Sequence, residues 1–250
     1  MEIIVIANQK GGAGKTSTAA ALWYWLNKHG FPSLAVDLDA QANLSYTAGA
    51  DIRGITVMDV LKGENINNAI QKTDGGDIIP AGYSLNSADI TLTGKGKESL
   101  LKKSLAKLSK DYRYVIIDTE PHLGILSLNA LTAANKVIIP TQADVFSLQG
   151  ISQLWQNIRE VIKLGVNPSL VVDGILLTRY SKRASLSKEM KALLETTAQK
   201  MHSKLYRATI REAVAVKESQ ASQTSVFELS PQPSKVIADY EEFITEFLNR

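Results

Sequence analysis

The chain has 250 residues and a net charge of +3, and it contains no cysteine. The missing thiols exclude disulfides, zinc-thiolate sites and cysteine nucleophiles, and so small a net charge does not by itself indicate a nucleic-acid partner. A hydrophobic fraction of 44% suits a sizeable core, so we expect a single domain over residues 1–250. The N-terminus does not resemble a secretory signal, and no apolar run approaches the roughly 18 residues of a membrane span. We therefore expect a cytoplasmic protein.

The predicted elements begin with a strand, a glycine-rich turn and a helix, and they continue as an alternation of strands and helices. The first strand covers Ile3 to Ala7, and the first helix covers Thr16 to His29. Further strands are expected at Ser33–Val36, Asp77–Pro80, Tyr112–Ile117, Lys136–Pro140 and Leu170–Leu177. Further helices are expected at Val57–Leu61, Lys97–Leu108, Leu123–Ala134, Leu148–Leu164, Ser187–His202 and Ser234–Leu248. Because several strands are uninterrupted apolar runs, this pattern predicts a doubly wound α/β fold, with a mostly parallel sheet covered by helices on both faces.

The turn after the first strand is typical of a phosphate-binding loop. Its glycines let successive backbone N–H groups point into one concavity, and the following helix N-terminus adds unpaired donors. Lys15 is expected to neutralise the β- and γ-phosphates of a nucleotide, and the Thr16 hydroxyl to ligate Mg²⁺. The residues assigned to nucleotide binding in this loop are Lys10, Gly11, Gly12, Ala13, Gly14, Lys15, Thr16 and Ser17.

Acidic residues follow two of the predicted strands, at the edge where open parallel sheets bind their ligands. Asp118 closes the run Y-V-I-I-D, the arrangement of a carboxylate that holds Mg²⁺ from a strand end. Asp37 follows an earlier strand and is expected near the same ion. The candidate metal residues are therefore Thr16, Asp37 and Asp118. Since no residue signals a phospho-acceptor substrate, the pattern favours hydrolysis over transfer to a second substrate.

The run K-G-G-A-G-K-T resembles the deviant Walker A motif of the ParA/MinD/Soj group of P-loop ATPases, because Gln9 replaces the first glycine of the ordinary motif and Lys10 is added. V-D-L-D-A-Q-A-N resembles the switch I motif of this family, and D-T-E-P resembles its switch II. N-K-V-I-I-P-T-Q-A-D-V-F-S-L-Q-G-I and I-R-E-A-V-A-V-K-E-S-Q-A-S also look like ParA-type segments, so the resemblance covers nearly the whole chain. It is nearest to the partition ATPases of the ParA/Soj type.

The resemblance implies an ATP hydrolase that uses ATP and Mg²⁺ and works as a homodimer with the nucleotides held between two subunits. Lys10 would reach the phosphates bound by the other subunit, and Asp39 would orient or deprotonate the attacking water. The catalytic candidates are Lys10, Lys15 and Asp39. The base would lie near Thr178, Arg179, Ile210 and Arg211. Two departures from the family pattern, Ala40 and Glu120 in place of prolines, leave their effect on hydrolysis open.

The segment from Arg179 to Lys217 carries ten basic and three acidic residues, although the whole chain carries only +3. From charge alone, a solvated basic face without a partner stays an equally open interpretation. The segment has no aromatic stacking platform and no recognition-helix signature, which favours sequence-independent contacts with duplex DNA over sequence reading. The resemblance implies the same, since ParA-type dimers bind nucleoid DNA non-specifically and a ParB-like centromere-binding partner stimulates their hydrolysis. The candidate DNA contacts are Arg179, Arg183, Lys188, Arg211 and Lys217.

Three alternatives stay open at the level of the sequence. A MinD-like ATPase would cycle on a membrane, but the C-terminal segment from Ser234 to Arg250 has four acidic and only two basic residues, which opposes contact with an anionic leaflet. Its apolar residues are expected to dock on the protein body instead. The second alternative is an ATPase that positions another cargo, and the third is a nucleotide switch that binds only a protein. Because the first strand begins at Glu2, no helix-turn-helix and no site-specific repression are expected.

Overall fold

The computed structural model describes residues 1–180, 185–229, 231 and 234–249. In the described residues the strands are β1 (Glu2–Ile6), β2 (Ser33–Leu38), β3 (Gln71–Thr73), β4 (Gly76–Ile79), β5 (Tyr114–Thr119), β6 (Lys136–Thr141), β7 (Val171–Leu177) and β8 (Leu205–Thr209). The α-helices are α1 (Lys15–Lys28), α2 (Asn43–Thr47), α3 (Val57–Leu61), α4 (Ala88–Thr91), α5 (Leu100–Leu105), α6 (Ile125–Ala133), α7 (Val145–Lys163), α8 (Ser185–Lys200), α9 (Val214–Ala221) and α10 (Ser234–Leu248). Short 3₁₀ turns lie at Ile66–Ala69, Tyr83–Ser87 and Lys97–Ser99.

The strands form one sheet in the order β3-β4-β2-β5-β1-β6-β7-β8. All neighbouring strands run parallel except β3 and β4, which form an antiparallel hairpin at one edge. Because β1 lies between β5 and β6, the loop that follows it emerges in the middle of the carboxyl edge of the sheet. The doubly wound, mostly parallel sheet expected from the sequence is confirmed.

Two apolar clusters cover the two faces of the sheet. One cluster joins the sheet to α3, α5, α6, α7 and α8, and the other joins it to α1, α2 and α10. The central strands contribute to both, since Ile3 and Val5 point into the first cluster while Ile4 and Ile6 point into the second. Burial on both faces is the reason why β1 is an uninterrupted apolar run.

The C-terminal helix α10 docks on the body through its apolar residues, as expected. Val236, Tyr240, Phe243, Ile244 and Phe247 are all at most 3% exposed. Their spacing places them on one face of the helix, and each contributes about 1.5–3 kcal/mol when fully buried. Among the described residues, no helix combines the length and the apolar character needed to cross a bilayer.

Several boundaries differ from the sequence prediction. The expected helix over Lys97–Leu108 consists of a 3₁₀ turn followed by α5, which is only six residues long. Helix α7 begins three residues before the predicted Leu148, because Asp144 caps it and accepts a hydrogen bond from the Ser147 N–H at 3.0 Å. The sequence pattern also did not indicate α2, β3, β8 or α9.

Candidate functional site

The glycine-rich loop lies between β1 and the N-terminus of α1. Gly12 and Gly14 have φ values of 71° and 88°, a conformation that side chains with a Cβ rarely adopt. A Cβ at Gly14 would also approach the Thr178 side chain to 3.3 Å. Gly14 is the N-cap of α1, and no described side chain caps that end, so its N–H groups are available to an anion. The loop geometry therefore fits a phosphate cradle.

Two side chains from the ends of neighbouring strands hold this loop. The Thr178 hydroxyl, just after β7, donates to the Ala13 carbonyl at 2.8 Å. The Gln142 amide, just after β6, donates to the Gly12 carbonyl, also at 2.8 Å. These bonds fix the loop conformation before any ligand binds, so less conformational entropy is lost when a ligand binds.

Lys15 is a buried cation beside the loop. Its residue is only 6% exposed, and its ammonium lies 3.5 Å from the Lys10 carbonyl. Burial lowers the pKa of Lys15, and the carboxylates of Asp118 and Asp39 oppose that shift. A desolvated ammonium gains strongly from an anionic ligand, so its position agrees with the predicted contact with phosphates.

Asp37 and Asp118 are paired in register on the neighbouring strands β2 and β5. Burial, together with the Asp39 carboxylate, raises the pKa of Asp37 to about 6 despite hydrogen bonds from Ser45. Burial and the Asp37 carboxylate raise the pKa of Asp118 well above its ordinary value, while the nearby Thr16 hydroxyl and the Lys15 ammonium oppose the shift. Two buried carboxyls this close need a cation or a proton to relieve their repulsion.

The two carboxyls differ in how they are satisfied. Asp37 accepts hydrogen bonds from the Ser45 N–H at 2.8 Å, the Ser45 hydroxyl at 2.7 Å and the Asp39 N–H at 3.1 Å. Both oxygens of Asp118 are buried and accept no hydrogen bond of ordinary geometry from the described residues, although the Thr16 hydroxyl lies nearby. The bonding pattern favours Asp118 as the carboxylate that faces Mg²⁺, whereas Asp37 positions switch I and the start of α2.

Magnesium fits this place. The orphaned oxygens of Asp118 are the acceptors that a hydrated Mg²⁺ would satisfy, and Thr16 lies at the start of α1 on the same side. The described residues hold no group of three or more acidic or histidine side chains that would bind a metal by itself. Such a site suits Mg²⁺, which keeps several waters and takes phosphate oxygens as further ligands.

Asp39 lines the cleft that contains the phosphate loop, and it is 7% exposed. Its Oδ1 accepts a hydrogen bond from the Gln41 N–H at 2.9 Å, which fixes the carboxylate in the turn before α2. Glu120 is close enough for the Asp39 charge, after burial, to raise its pKa. The substitution of the family proline by Glu120 therefore adds a second carboxyl next to the predicted water-positioning residue.

Lys10 has a partner that the sequence analysis missed. Its ammonium forms an ion pair with Asp144 and lies 3.4 Å from the Ser147 hydroxyl. Burial alone would raise the pKa of Asp144, but the hydrogen bond from Lys10 and the Ser147 N–H bring it below the ordinary value. The only sequence signal was the Asp-x-x-Ser spacing of a helix cap at Asp144.

A cleft of about 580 Å³ connects the loop to the predicted base-binding residues. Its lining includes all four of them, Thr178, Arg179, Ile210 and Arg211, together with the loop residues from Gly11 to Ser17. This volume suits a nucleotide-sized ligand. Tyr46, Val216 and Gln220 also line the cleft and were not predicted, since they lie on α2 and α9, which the sequence did not indicate.

The structure separates the predicted DNA contacts into different environments. The Arg211 guanidinium donates to both oxygens of Asp239, at 2.6 and 2.7 Å, and thereby ties the β8–α9 loop to α10. Arg179 pairs with Glu212 at 3.6 Å, whereas Lys217 is exposed on α9. Arg183 lies outside the described residues, and Lys188 lies on α8 with its side chain outside them. Their contact with DNA stays a prediction.

Comparison with known proteins agrees with this geometry. Residues 1–172 match the family model AAA_31, described as an AAA domain. The chain is 40% identical to the chromosome-partitioning ATPase Soj of Treponema pallidum over 75% of each chain. It is 33% identical to the sporulation initiation inhibitor protein Soj of Bacillus subtilis over 92% of each.

A solved structure supports the same assignment. A Mycobacterium smegmatis protein, described as cobyrinic acid a,c-diamide synthase with bound ATP analogue and magnesium, has a TM-score of 0.78 and is 33% identical over 89% of this chain and 93% of that one. Its fold and the Soj relatives point to one group of nucleotide-binding proteins. The chain therefore belongs to the Soj/ParA family of P-loop ATPases.

Proposed function

We propose that this chain is a ParA-type partition ATPase that dimerises on ATP and Mg²⁺, binds DNA without sequence preference and moves plasmid or chromosomal cargo. The observation that carries the proposal is Lys10, a second lysine placed immediately before a preformed phosphate loop and close to the surface. The ordinary P-loop motif needs only one lysine, and Lys15 already supplies it.

As a member of this ATPase family, the chain hydrolyses ATP with Mg²⁺ as its cofactor. Bound Mg²⁺ supplies neutralising charge between the phosphates. The loop N–H groups and Lys15 would bind the phosphate oxygens, and Asp39 would orient the attacking water. The Thr16 hydroxyl would ligate the metal, and Asp118 would hold it through its water shell. The loop residues, Lys15, Thr16 and Asp39 line the same cleft, and Asp118 is buried close to Thr16 and Lys15.

The dimer is the working state of this proposal. Lys10 would leave Asp144 and extend to the triphosphate of the second subunit, where an anion of higher charge replaces a single carboxylate. Closing the sandwich in this way makes dimerisation depend on the triphosphate. Hydrolysis then removes the γ-phosphate that holds the two subunits together.

DNA binding is assigned to the basic segment from Arg179 to Lys217. Within it Lys200, Arg207 and Lys217 are exposed and form no ion pair with the described residues, so they can contact backbone phosphates. Dimerisation doubles this charged surface, which increases DNA affinity through avidity. We expect a nucleoid-associated protein whose hydrolysis a ParB-like centromere-binding partner stimulates.

A membrane-cycling function has less support. The apolar face of α10 is buried against the sheet and is not available to insert into lipid. The charged groups on the helix are mainly acidic, and two of them, Asp239 and Glu246, are engaged in binding Arg211 and Lys204. The structure thus supports docking of α10 on the protein body rather than on a membrane.

The test is a gel shift on random duplex DNA with ATP, with ADP and without nucleotide. Binding with ATP alone supports the partition function. Recruitment to anionic liposomes without DNA binding would support the membrane-cycling alternative, and binding to neither would leave a switch that acts on a protein. A strong preference for one operator sequence would contradict the proposal.

A further inference from the structure

Arg179 lines the nucleotide cleft. It follows β7, directly after Thr178, which holds the phosphate loop. Its Nη1 is 3.9 Å from the position that a Cβ of Gly12 would occupy, so the guanidinium lies at the loop that receives the phosphates. Its Nη2 is 3.6 Å from Glu212, which also lines the cleft and lies in the neighbouring β8–α9 loop.

The backbone of Arg179 is held in an unusual conformation. Its φ is 50°, in the left-handed region that costs free energy for a residue with a side chain. Hydrogen bonds fix the chain on both sides, from the Thr178 N–H to the Thr141 carbonyl at 2.7 Å and from the Tyr180 N–H to the Ile210 carbonyl at 3.0 Å. These bonds hold the backbone of Arg179 in this conformation, from which its side chain lines the cleft.

The ion pair between Arg179 and Glu212 is weak enough for another anion to replace Glu212. The two side chains are 41% and 65% exposed, and their closest atoms are 3.6 Å apart, which is long for a charge-assisted hydrogen bond. An exposed pair of this kind is weak. A polyphosphate in the cleft carries several negative charges and would compete with a single carboxylate for the guanidinium.

We propose that Arg179 pairs with Glu212 in the nucleotide-free protein and contacts phosphate when nucleotide is bound. It then leaves the Glu212 carboxylate and binds the polyphosphate oxygens of the nucleotide in its own subunit. This inference rests on the proposed function only in taking the cleft as the nucleotide site. It changes the predicted role of Arg179 from base recognition and DNA binding to charge neutralisation, and it assigns a role to Glu212. Glu212 weakens nucleotide binding, because Arg179 must leave its carboxylate before it can contact the phosphates.

The experiment is a titration of the full chain with a non-hydrolysable ATP analogue and Mg²⁺, without DNA. Removing the guanidinium in Arg179→Met is expected to raise Kd about tenfold or more, the range for a hydrogen bond to a charged group. Glu212→Gln is expected to lower Kd by roughly threefold, since an exposed pair is weak. In the double variant the gain from Glu212→Gln should disappear, because it acts only through Arg179.

Two further variants keep the test decisive. Arg179→Gly relieves the positive φ, so it should fold at least as well as the parent chain and lose affinity like Arg179→Met. Arg159→Met removes the same charge from an exposed position on α7, outside the cleft lining and outside the basic segment, and should leave Kd within about twofold.

The proposal is overturned if Arg179→Met and Arg179→Gly bind the analogue as the parent chain does, or if the effect of Glu212→Gln persists without Arg179. Loss of DNA affinity with unchanged nucleotide affinity would make Arg179 a DNA contact instead. Failure of the partition function gives a different result from failure of this proposal. In that case the parent chain would bind the analogue in this titration but show no ATP-dependent shift of random duplex DNA.

Discussion

Lys10 and Asp144 lie 134 positions apart in the sequence and form an ion pair within one subunit. Asp144 is also the N-cap of α7, so the lysine is tied to the start of a long helix. The lysine that is proposed to act on a second subunit is therefore already engaged in its own. Dimerisation must compete with this pair.

Asp144→Asn should release Lys10 and favour the ATP-dependent dimer. Because the side chains are 26% and 32% exposed, we expect a modest effect, roughly a twofold to fivefold lower dimer dissociation constant with Mg²⁺ and ATP. Asparagine still caps a helix well, so α7 should stay intact. Analytical ultracentrifugation over a range of protein concentrations measures this constant.

A matched control exists at the other end of the sheet. Lys136 and Glu2 form an ion pair with nearly the same exposure, 26% and 33%, far from the cleft. Glu2→Gln should leave the dimer constant unchanged. Weaker dimers in Asp144→Asn would mean that Asp144 supports the assembled state and does not oppose it.

Asp118→Asn should stabilise the nucleotide-free protein and abolish its stabilisation by Mg²⁺ and ATP. The variant removes a buried charge that lies next to Asp37. The Asp118 oxygens accept no hydrogen bond of ordinary geometry from the described residues, and only the Thr16 hydroxyl lies nearby. We expect a gain of about 1–3 kcal/mol at neutral pH in EDTA, because the neutral amide carries no charge to desolvate or to repel Asp37. Thermal unfolding with and without the ligands measures both effects.

The same carboxyls predict a pH dependence. Their pKa values are raised in the folded state, to about 6 for Asp37 and well above the ordinary value for Asp118. The folded state thus binds protons that the unfolded state releases, so stability from this pair is present at pH about 4 and falls as the pH rises toward neutral. Asp118→Asn should reduce this fall as the pH rises from about 4 through the Asp37 pKa of about 6.

Asp77→Asn is a control of opposite sign. Asp77 is 7% exposed, but Lys110 and Tyr112 donate to its Oδ2 at 2.7 and 2.6 Å, and its pKa is lowered. Removing a satisfied buried carboxylate should lower the melting temperature. If Asp118→Asn also lowered the melting temperature, repulsion between Asp118 and Asp37 would not be what destabilises the nucleotide-free protein.

Asp39→Ala should leave ATP-dependent dimers intact and slow hydrolysis by about 10²-fold, the usual contribution of a general base. The carboxylate lies at the cleft wall, fixed by the Gln41 N–H, and contributes nothing to the phosphate cradle itself. Steady-state phosphate release measures turnover. If Glu120→Gln slows hydrolysis and Asp39→Ala does not, the water is positioned by Glu120.

Arg207→Met and Arg211→Met should affect different properties. Arg207 is exposed on β8 without an ion pair among the described residues, so its removal should weaken DNA binding and reduce the slope of log affinity against log salt by about 1. Arg211 is held by Asp239, so its removal should lower the melting temperature first. Equal loss of DNA affinity in both, at unchanged stability, would place Arg211 among the DNA contacts.

The sequence predicted those parts of the fold that local patterns determine. The apolar runs of β1, β5 and β7 and the glycines of the phosphate loop each carry their own signal, since burial on both faces and positive φ values restrict the residue types. The edge strand β8 has no such run, because its residues alternate between exposed and buried. It is therefore hard to distinguish from a loop.

The parts of the site that were missed depend on distant contacts. Helix α2 begins after Ala42, which has a φ of 53°, and its start is fixed by Asp37 through Ser45 rather than by helix propensity. The partners of Lys10 and Arg211, Asp144 and Asp239, are likewise distant in sequence. No periodicity reveals such pairs, and the topology of the sheet brings them together.

The mass of the protein in solution with Mg²⁺ and a non-hydrolysable ATP analogue tests the central claim most directly. Light scattering should give twice the 27.2 kDa of one chain with the analogue and about 27.2 kDa with ADP. Lys10→Ala should stay at the lower mass while it still binds the analogue. A parent chain that remains monomeric at saturating analogue would contradict the nucleotide sandwich and, with it, the partition function.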